Sequence, residues 1–187
     1  HYHLVLLAKN NQGYLNLIKI VSLGYINSQT DIPIIDRTIL REFSAGLIAM
    51  SAGLSGEVMH YAVNGDYDKT KNVILDYYDI FNQNFYLEIQ NHQLPEQSQA
   101  NKLLATLSKE LSIPLVATNE TYYTSKGDAD ACDVIRCIGT GHNINDPNRI
   151  HAKSNEYYIK SSDEMCELFK DFPDAIENTI KISEQCN

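Results

Sequence analysis

The stretch Leu115-Val116-Ala117-Thr118-Asn119-Glu120-Thr121-Tyr122-Tyr123 decides the fold of this chain. It begins with three apolar residues and continues with polar ones, which is typical of a buried strand that runs into a polar turn. In α/β folds, the turns at the carboxyl ends of parallel strands carry much of the chemistry. Residues two apart on an extended segment face the same side, so Glu120 and Tyr122 are predicted to point toward one site.

The rest of the chain alternates short apolar runs with helical patterns. The predicted strands are Tyr2–Ala8, Gly46–Met50, Phe85–Gln90 and Pro114–Thr118. The predicted helices lie at residues 12–23, 37–43, 58–63, 66–81, 95–111, 128–138 and 173–185, with a further helix start at the Ser161–Glu164 capping box. Short strands that alternate with helices predict β-α units in a parallel sheet with both faces covered. No repeat or long linker divides the sequence, so we expect one domain over residues 1–187.

Composition limits the classes of function that this segment can have. The 187 residues include 24 acidic and 15 basic ones, for a net charge of −9, and no Lys/Arg stripe is present. This balance argues against the segment binding nucleic acid by itself, and it leaves open such a role for a longer parent chain. The four cysteines show no C-x-x-C pairing, which favours a reduced, cytoplasmic setting. No apolar run approaches the ~20 residues that span a bilayer.

The chain starts inside an apolar run and has no initiator Met. His1-Tyr2-His3 leads directly into Leu4-Val5-Leu6-Leu7-Ala8. A complete protein rarely starts inside a core strand, so we expect a segment of a larger polypeptide that is truncated at both ends. A truncated sheet exposes an edge and apolar surface, and we therefore expect the isolated segment to self-associate.

Candidate metal ligands lie near the predicted strands. His92 follows the third strand and is either a surface-loop histidine or a metal ligand, since neutral imidazole binds Zn, Mn or Fe. Glu120 could donate carboxylate oxygens to the same site. His3 is either a core histidine or a third ligand. Glu57 and Asp36 are further candidates, but a multinuclear centre needs more ligands than these.

Further motifs occur in a fixed order along the chain. They are His3-Leu4-Val5-Leu6-Leu7-Ala8-Lys9-Asn10, Gly13-Tyr14-x-Asn16-Leu17, Gly56-Glu57, Phe85-Tyr86-Leu87-Glu88-Ile89-Gln90-Asn91-His92, Val116-Ala117-Thr118-Asn119, Asp146-Pro147-Asn148-Arg149 and Tyr158-x-Lys160-Ser161. In this order they resemble the PHP (polymerase and histidinol phosphatase) domain, in the branch found in bacterial DNA polymerase III alpha subunits. The resemblance implies a distorted, TIM-like β/α barrel of the α/β class, within a larger multidomain polymerase.

The resemblance also implies where an intact member would bind metal. Its ligands come from an upstream H-x-H and from positions that here hold Gly53, His92, Glu120 and Tyr122. His92 is retained and Glu120 replaces an aspartate, whereas cysteine and histidine are usual at positions 53 and 122. Loss of a thiolate and an imidazole removes soft ligands, and a phenol with a pKa near 10 replaces them poorly. We therefore expect a vestigial site of His92, His3 and Glu120 with at most weak Zn or Mn binding, and no catalytic residue in this segment.

By resemblance, the segment is expected to be a non-catalytic scaffold of a replicative DNA-directed DNA polymerase. The scaffold would stabilise the remaining domains of the polymerase and dock a proofreading 3′–5′ exonuclease subunit. Mg²⁺ and contact with DNA would belong to other parts of the parent chain. The main alternative is a metal-dependent PHP phosphoesterase or 3′–5′ exonuclease. A freestanding PHP-type small-molecule phosphatase is a third hypothesis, and it requires a gene that encodes little beyond this domain.

Overall fold

The computed structural model describes residues 1–28 and 32–186. The strands are β1 (Val5–Ala8), β2 (Leu47–Met50), β3 (Phe85–Ile89) and β4 (Leu115–Ala117). The helices are α1 (Asn11–Asn27), α2 (Arg37–Phe43), α3 (Glu57–Val63), α4 (Tyr67–Phe81), α5 (Pro95–Leu111), α6 (Ala129–Thr140), α7 (Ser162–Leu168) and α8 (Pro173–Gln185). Every predicted strand and helix is present, with ends that differ by a few residues, so the α/β class is confirmed.

The four strands form one sheet in the order β1-β2-β3-β4. The pairs β2–β3 and β3–β4 are parallel, as predicted, but β1 is antiparallel to β2, with Val5 opposite Met50 and Ala8 opposite Leu47. The prediction of an all-parallel sheet is therefore wrong at β1. Helices α1 and α2 connect β1 to β2 and return the chain antiparallel, whereas α3 and α4 connect β2 to β3 and return it parallel. The direction of β1 is therefore set by how its connecting helices pack, and the alternation of strands and helices in the sequence does not reveal it.

Alternate residues of the strands face two different cores. Leu47, Phe85 and Leu87 belong to the larger core, to which α3, α4 and α5 contribute. The opposite sheet face carries a small cluster of Ile48, Met50, Tyr86 and Val116, covered by Ile182 of α8. Strands β2 and β3 are buried along their whole length, which explains why their sequences are nearly continuous in apolar residues.

Local sequence sets several helix starts. Asn10, Asp36 and Asp66 each accept a hydrogen bond from a backbone N–H of the first turn that they cap. Pro95 occupies the first turn of α5, where no helical hydrogen bond is lost. Ser161 and Glu164 form the predicted reciprocal capping box of α7.

Helix α8 closes part of the outer edge of β4. The Asn178 side-chain amide is buried and donates a hydrogen bond of 2.7 Å to the Leu115 carbonyl. An edge carbonyl that would otherwise face solvent is thereby satisfied within the chain.

Cys132, Cys137, Cys166 and Cys186 all carry free thiols. Within residues 1–28 and 32–186, no helix combines the length and the apolar character that crossing a bilayer requires.

Candidate functional site

Strands β2, β3 and β4 are neighbours, and their carboxyl ends lie side by side at one end of the sheet. The loops that follow these strands build a buried polar site. Ser51 follows β2, His92 follows β3, and Thr118 follows β4. The Ser51 N–H donates to the Tyr86 carbonyl and the Thr118 N–H donates to the Ile89 carbonyl, both at 3.1 Å, which extends the strand pairing to the first loop residues. The site thus lies where the topology predicts it, at the carboxyl ends of parallel strands.

His92 is completely buried, so the surface-loop interpretation is wrong. Its backbone N–H donates to Oε1 of Gln97 at 2.7 Å, which fixes the orientation of that amide. Nε2 of Gln97 must then donate to Nδ1 of His92, at 3.0 Å. The proton of the neutral ring consequently sits on Nε2 and is donated to the Glu120 carbonyl, at 3.1 Å.

This arrangement decides what His92 can do chemically. Burial lowers the pKa of its imidazole, against the raising effect of the hydrogen bond to the Glu120 carbonyl. The Tyr157 ring also stacks on the imidazole, with centroids 4.3 Å apart. To bind a metal ion, an imidazole nitrogen must offer a lone pair that is not already in a hydrogen bond. In this tautomer only Nδ1 has a lone pair in the ring plane, and it already accepts the Gln97 amide proton. In this geometry His92 is a structural histidine.

Glu120 and Tyr122 face the same side, as predicted from their spacing. The Tyr122 hydroxyl donates a hydrogen bond to the Glu120 carboxylate. This hydrogen bond, followed by burial, raises the pKa of Tyr122 to about 12. The phenol at position 122, where the resemblance implies an imidazole in intact members, therefore stays protonated and hydrogen-bonds to the carboxylate instead of binding a cation.

The space beside Gly53, where the resemblance implies a cysteine in intact members, is also filled. A Cβ on Gly53 would lie 2.1 Å from Oε1 of Gln90 and 2.6 Å from its Cδ. The Gln90 side chain is held in place by hydrogen bonds from Nε2 to Glu88 Oε1, at 3.0 Å, and to Thr118 Oγ1, at 3.1 Å. A cysteine at position 53 therefore requires Gln90 to move.

Glu88 lies at the centre of this buried network. Its Oε1 accepts hydrogen bonds from Gln90 and from the Thr118 hydroxyl. Its Oε2 is buried and has no hydrogen-bond partner among the described residues. Burial is the dominant effect and raises the pKa of Glu88, whereas the hydrogen bonds from Thr118 and Gln90 lower it.

The segment at residues 156–160 lies against this site. The Tyr122 N–H donates to the Tyr157 carbonyl and Nδ2 of Asn119 donates to the Tyr158 carbonyl, each at 2.8 Å. Nζ of Lys160 donates to Oδ1 of Asn119 at 3.3 Å, and the lysine side chain is almost fully buried. Burial lowers the pKa of Lys160. The loop after β4 is thus tied to a segment almost forty residues downstream along the chain.

The remaining predicted site residues serve other roles. His3 is exposed rather than part of the core, and it pairs with Gly56 through a backbone bridge. Glu57 binds Arg37 at 2.8 Å and the Tyr77 hydroxyl at 2.9 Å, while Asp36 caps α2. Across residues 1–28 and 32–186, no three His, Cys, Asp or Glu side chains form a group that could hold a metal ion. The residues present at this site do not fit the metal cluster that the resemblance implies.

Sequence reasoning missed the residues that fill the site: Glu88, Gln90, Gln97, Tyr157 and Lys160. Glu88 and Gln90 carried a signal, because two polar residues at positions i and i+2 interrupt an otherwise apolar strand. Tyr157 and Lys160 gave no comparable signal, since their partners are distant in sequence.

Comparison with known proteins shows which proteins the chain resembles. Residues 1–92 match the model of the PHP domain. The chain is 44% identical over 186 residues to the DNA polymerase III subunit alpha of Borreliella burgdorferi, an alignment that covers 100% of the chain. The proteins with the same name from Helicobacter pylori strain J99 and Thermus aquaticus are 39% identical over 195 residues and 34% identical over 190 residues. In each case the chain spans 16% of the length of the relative.

Proposed function

The chain belongs to the PHP-domain family in the branch of the bacterial DNA polymerase III alpha subunits, and we propose that it forms part of a replicative DNA-directed DNA polymerase. The support is end-to-end similarity, since the alignment with the Borreliella burgdorferi protein leaves no part of the chain unmatched. Because the chain spans 16% of that relative, polymerisation, its Mg²⁺ and the contact with DNA would belong to the rest of a longer polypeptide. A role in bacterial replication implies a cytoplasmic location.

Within that polymerase we propose that this segment is a scaffold without hydrolytic activity. The observation that carries the proposal is the arrangement around His92. Its Nδ1 accepts from Gln97, its Nε2–H donates to the Glu120 carbonyl, and Tyr157 covers its ring. Any residual Zn or Mn binding through His92, His3 and Glu120 would therefore be weak.

We propose that residues 1–187 are one PHP-like domain and that the four-stranded sheet is part of a distorted β/α barrel. The three parallel strands, with helices between them, support this architecture.

A scaffold without nuclease chemistry leaves proofreading to a separate protein. We propose that the domain docks a 3′–5′ exonuclease subunit and stabilises the neighbouring polymerase domains. Co-purification of the full-length polymerase with that subunit, and its loss when the PHP region is replaced, would support this role.

A metal-dependent phosphoesterase or 3′–5′ exonuclease is the second candidate. It is favoured by one observation, the direct contact between His92 and the Glu120 backbone, which are both at ligand positions of the family. The decisive experiment measures bound metal and hydrolysis of single-stranded 3′ ends in the full-length protein with Mn²⁺ or Zn²⁺. The scaffold proposal predicts less than one metal ion per domain and no hydrolysis that depends on His92. Stoichiometric metal together with nuclease activity that His92→Ala abolishes would establish the rival.

The length of the gene alone distinguishes the third hypothesis, a freestanding small-molecule phosphatase, from the polymerase. An open reading frame that encodes little beyond these residues would favour it over the polymerase.

A further inference from the structure

A cavity of about 370 Å³ lies between the start of α5, the loop that precedes it and the connection from α7 to α8. This volume is within the range of small-ligand sites in proteins. Ser98 and Lys102 line the cavity from α5, and Asp171 lines it from the α7–α8 connection. Neither His92 nor Glu120 lines it, so the cavity is separate from the candidate site described above.

Two side chains of opposite charge line this cavity without pairing. Lys102 and Asp171 are both exposed, and neither side chain forms a hydrogen bond or an ion pair with any residue that the structure describes. The ammonium nitrogen of Lys102 is therefore more than 4.0 Å from the carboxylate oxygens of Asp171. An unjoined pair of this kind leaves room for a ligand that carries both charges.

Each of these charges has a polar neighbour that is also uncommitted. Ser98 lies one turn before Lys102 on the same face of α5, and its hydroxyl has no hydrogen bond within the described part of the chain. Asn101 is buried, and its Nδ2 donates to the Gln90 carbonyl at 2.9 Å, but its Oδ1 has no partner among the described residues. A buried acceptor without a donor is destabilising, and a ligand N–H group would supply that donor.

The remainder of the lining is mainly apolar and includes one strained residue. Gln93 has a φ of 59°, in the left-handed region, and its backbone N–H donates to Oδ1 of Asn91 at 3.1 Å. Non-glycine residues in this conformation cluster at ligand sites. The apolar surface of the cavity comes from Leu94, Pro95, Leu168, Phe169 and Phe172.

We propose that this cavity binds a free α-amino acid with an apolar side chain. Lys102 and Ser98 would bind its carboxylate, Asp171 and Asn101 would bind its ammonium group, and the side chain would lie against the apolar lining. Ligands with a single charge fit less well, because a phosphate would meet the Asp171 carboxylate and a simple amine would meet the Lys102 ammonium. The proposal is independent of the proposed function, since it uses none of the residues around His92.

Calorimetric titration of the full-length protein with L-phenylalanine tests the proposal. Two analogues each lack one charge: L-phenylalaninamide has no carboxylate, and N-acetyl-L-phenylalanine has no ammonium group. We expect saturable binding of L-phenylalanine at one site per chain and about tenfold weaker binding of each analogue, because each loses a charge-assisted hydrogen bond. Absence of saturable binding, or equal binding of all three compounds, would overturn the proposal.

Two substitutions assign the charges of the ligand to the two walls. Lys102→Gln should weaken the binding of L-phenylalanine and make it equal to that of the amide, while binding of the N-acetyl compound stays weaker. Asp171→Asn should give the converse result. Lys109→Gln is the matched control, because Lys109 is an exposed lysine of the same helix that does not line the cavity, and it should bind as the wild type does. A loss of binding in the Lys109 variant, or unchanged discrimination in the Lys102 and Asp171 variants, would refute the assignment.

Discussion

The Tyr157 ring lies nearly parallel to the His92 imidazole, with 19° between their planes and 4.3 Å between their centroids. The two residues are 65 positions apart, and the stack holds the segment at residues 156–160 against the loop after β3. Tyr157→Ala should therefore lower the free energy of unfolding by about 3 kcal/mol, through lost burial and lost ring contact. Urea denaturation measures this change.

Tyr157→Phe is the matched control, because it keeps the ring and removes only the hydroxyl. We expect it to retain most of the stability. Equal losses for Tyr157→Ala and Tyr157→Phe would show that the hydroxyl, not the stack, supplies the stability.

The buried His92 predicts a particular pH dependence. Burial lowers its pKa in the folded state, so the unfolded chain takes up a proton below about pH 6.5 that the native protein does not bind. Stability should then fall as the pH drops below that value, by up to about 1.4 kcal/mol per pH unit, until the native pKa is reached. His92→Gln should remove this part of the pH dependence in urea denaturation between pH 5 and 7. An unchanged slope in the variant would contradict the prediction.

The buried Glu88 should give a pH dependence of stability that is opposite in sign to that of His92. Burial raises its folded-state pKa, so the stability it confers is complete below its unfolded pKa of about 4.3 and is lost as the pH rises through the folded value. Glu88→Gln keeps an oxygen that can accept from Gln90 and Thr118 and removes the buried charge. The variant should be more stable than the wild type at pH 8 and should show little advantage at pH 4. A variant that is less stable at pH 8 would show that an unseen partner compensates the charge.

Because Gly53 and Gln90 are in contact, we expect substitutions at the two positions to have non-additive effects on the free energy of unfolding. Gly53→Ala places a Cβ against the Gln90 amide and should cost about 1–3 kcal/mol of unfolding free energy. In a Gln90→Ala background, the same change should cost much less, and a double-mutant cycle measures the difference.

Gly139→Ala is the control for this pair. Gly139 is inside α6, and among the described residues no atom beyond its chain neighbours and the backbone of its own helix lies within 4 Å of a Cβ built there. Alanine at this position should therefore be neutral or stabilising. Additive effects of Gly53→Ala and Gln90→Ala would refute the steric coupling.

The hydrogen bond from Asn178 to the β4 edge predicts that losing it increases self-association of the protein. Asn178→Leu removes the donor to the Leu115 carbonyl, which should cost about 1–3 kcal/mol and expose a β4 backbone acceptor. Light scattering should show more self-association than in the wild type. Thr179→Ala is the control, since the Thr179 hydroxyl bonds to the Ile176 carbonyl of its own helix. Equal association of the two variants would show that the β4 edge is not the contact.

Locally encoded features were predictable from the sequence. The Asp66 cap specifies the start of α4, and Pro95 specifies the start of α5, because the determining groups lie within a few residues of the helix end. The capping box of Ser161 and Glu164 was identifiable for the same reason.

Features that depend on distant residues were not predictable. The direction of β1 depends on how α1 and α2 pack, which no local pattern reveals. The burial of His92 depends on Tyr157, which is 65 positions away, and His3 forms a backbone bridge with Gly56, which is 53 positions away. The spacing of Glu120 and Tyr122 predicted that they share a side, but not that the phenol would hydrogen-bond to the carboxylate.

Gln90 occupies the space that a larger side chain at position 53 would need. A cysteine introduced there would meet the glutamine amide instead of a vacant pocket. Accommodating the thiol then demands at least two changes together, since the first of them alone costs stability. Engineering a soft metal ligand into this site is therefore a two-step task, in which Gln90 has to be shortened before position 53 is enlarged.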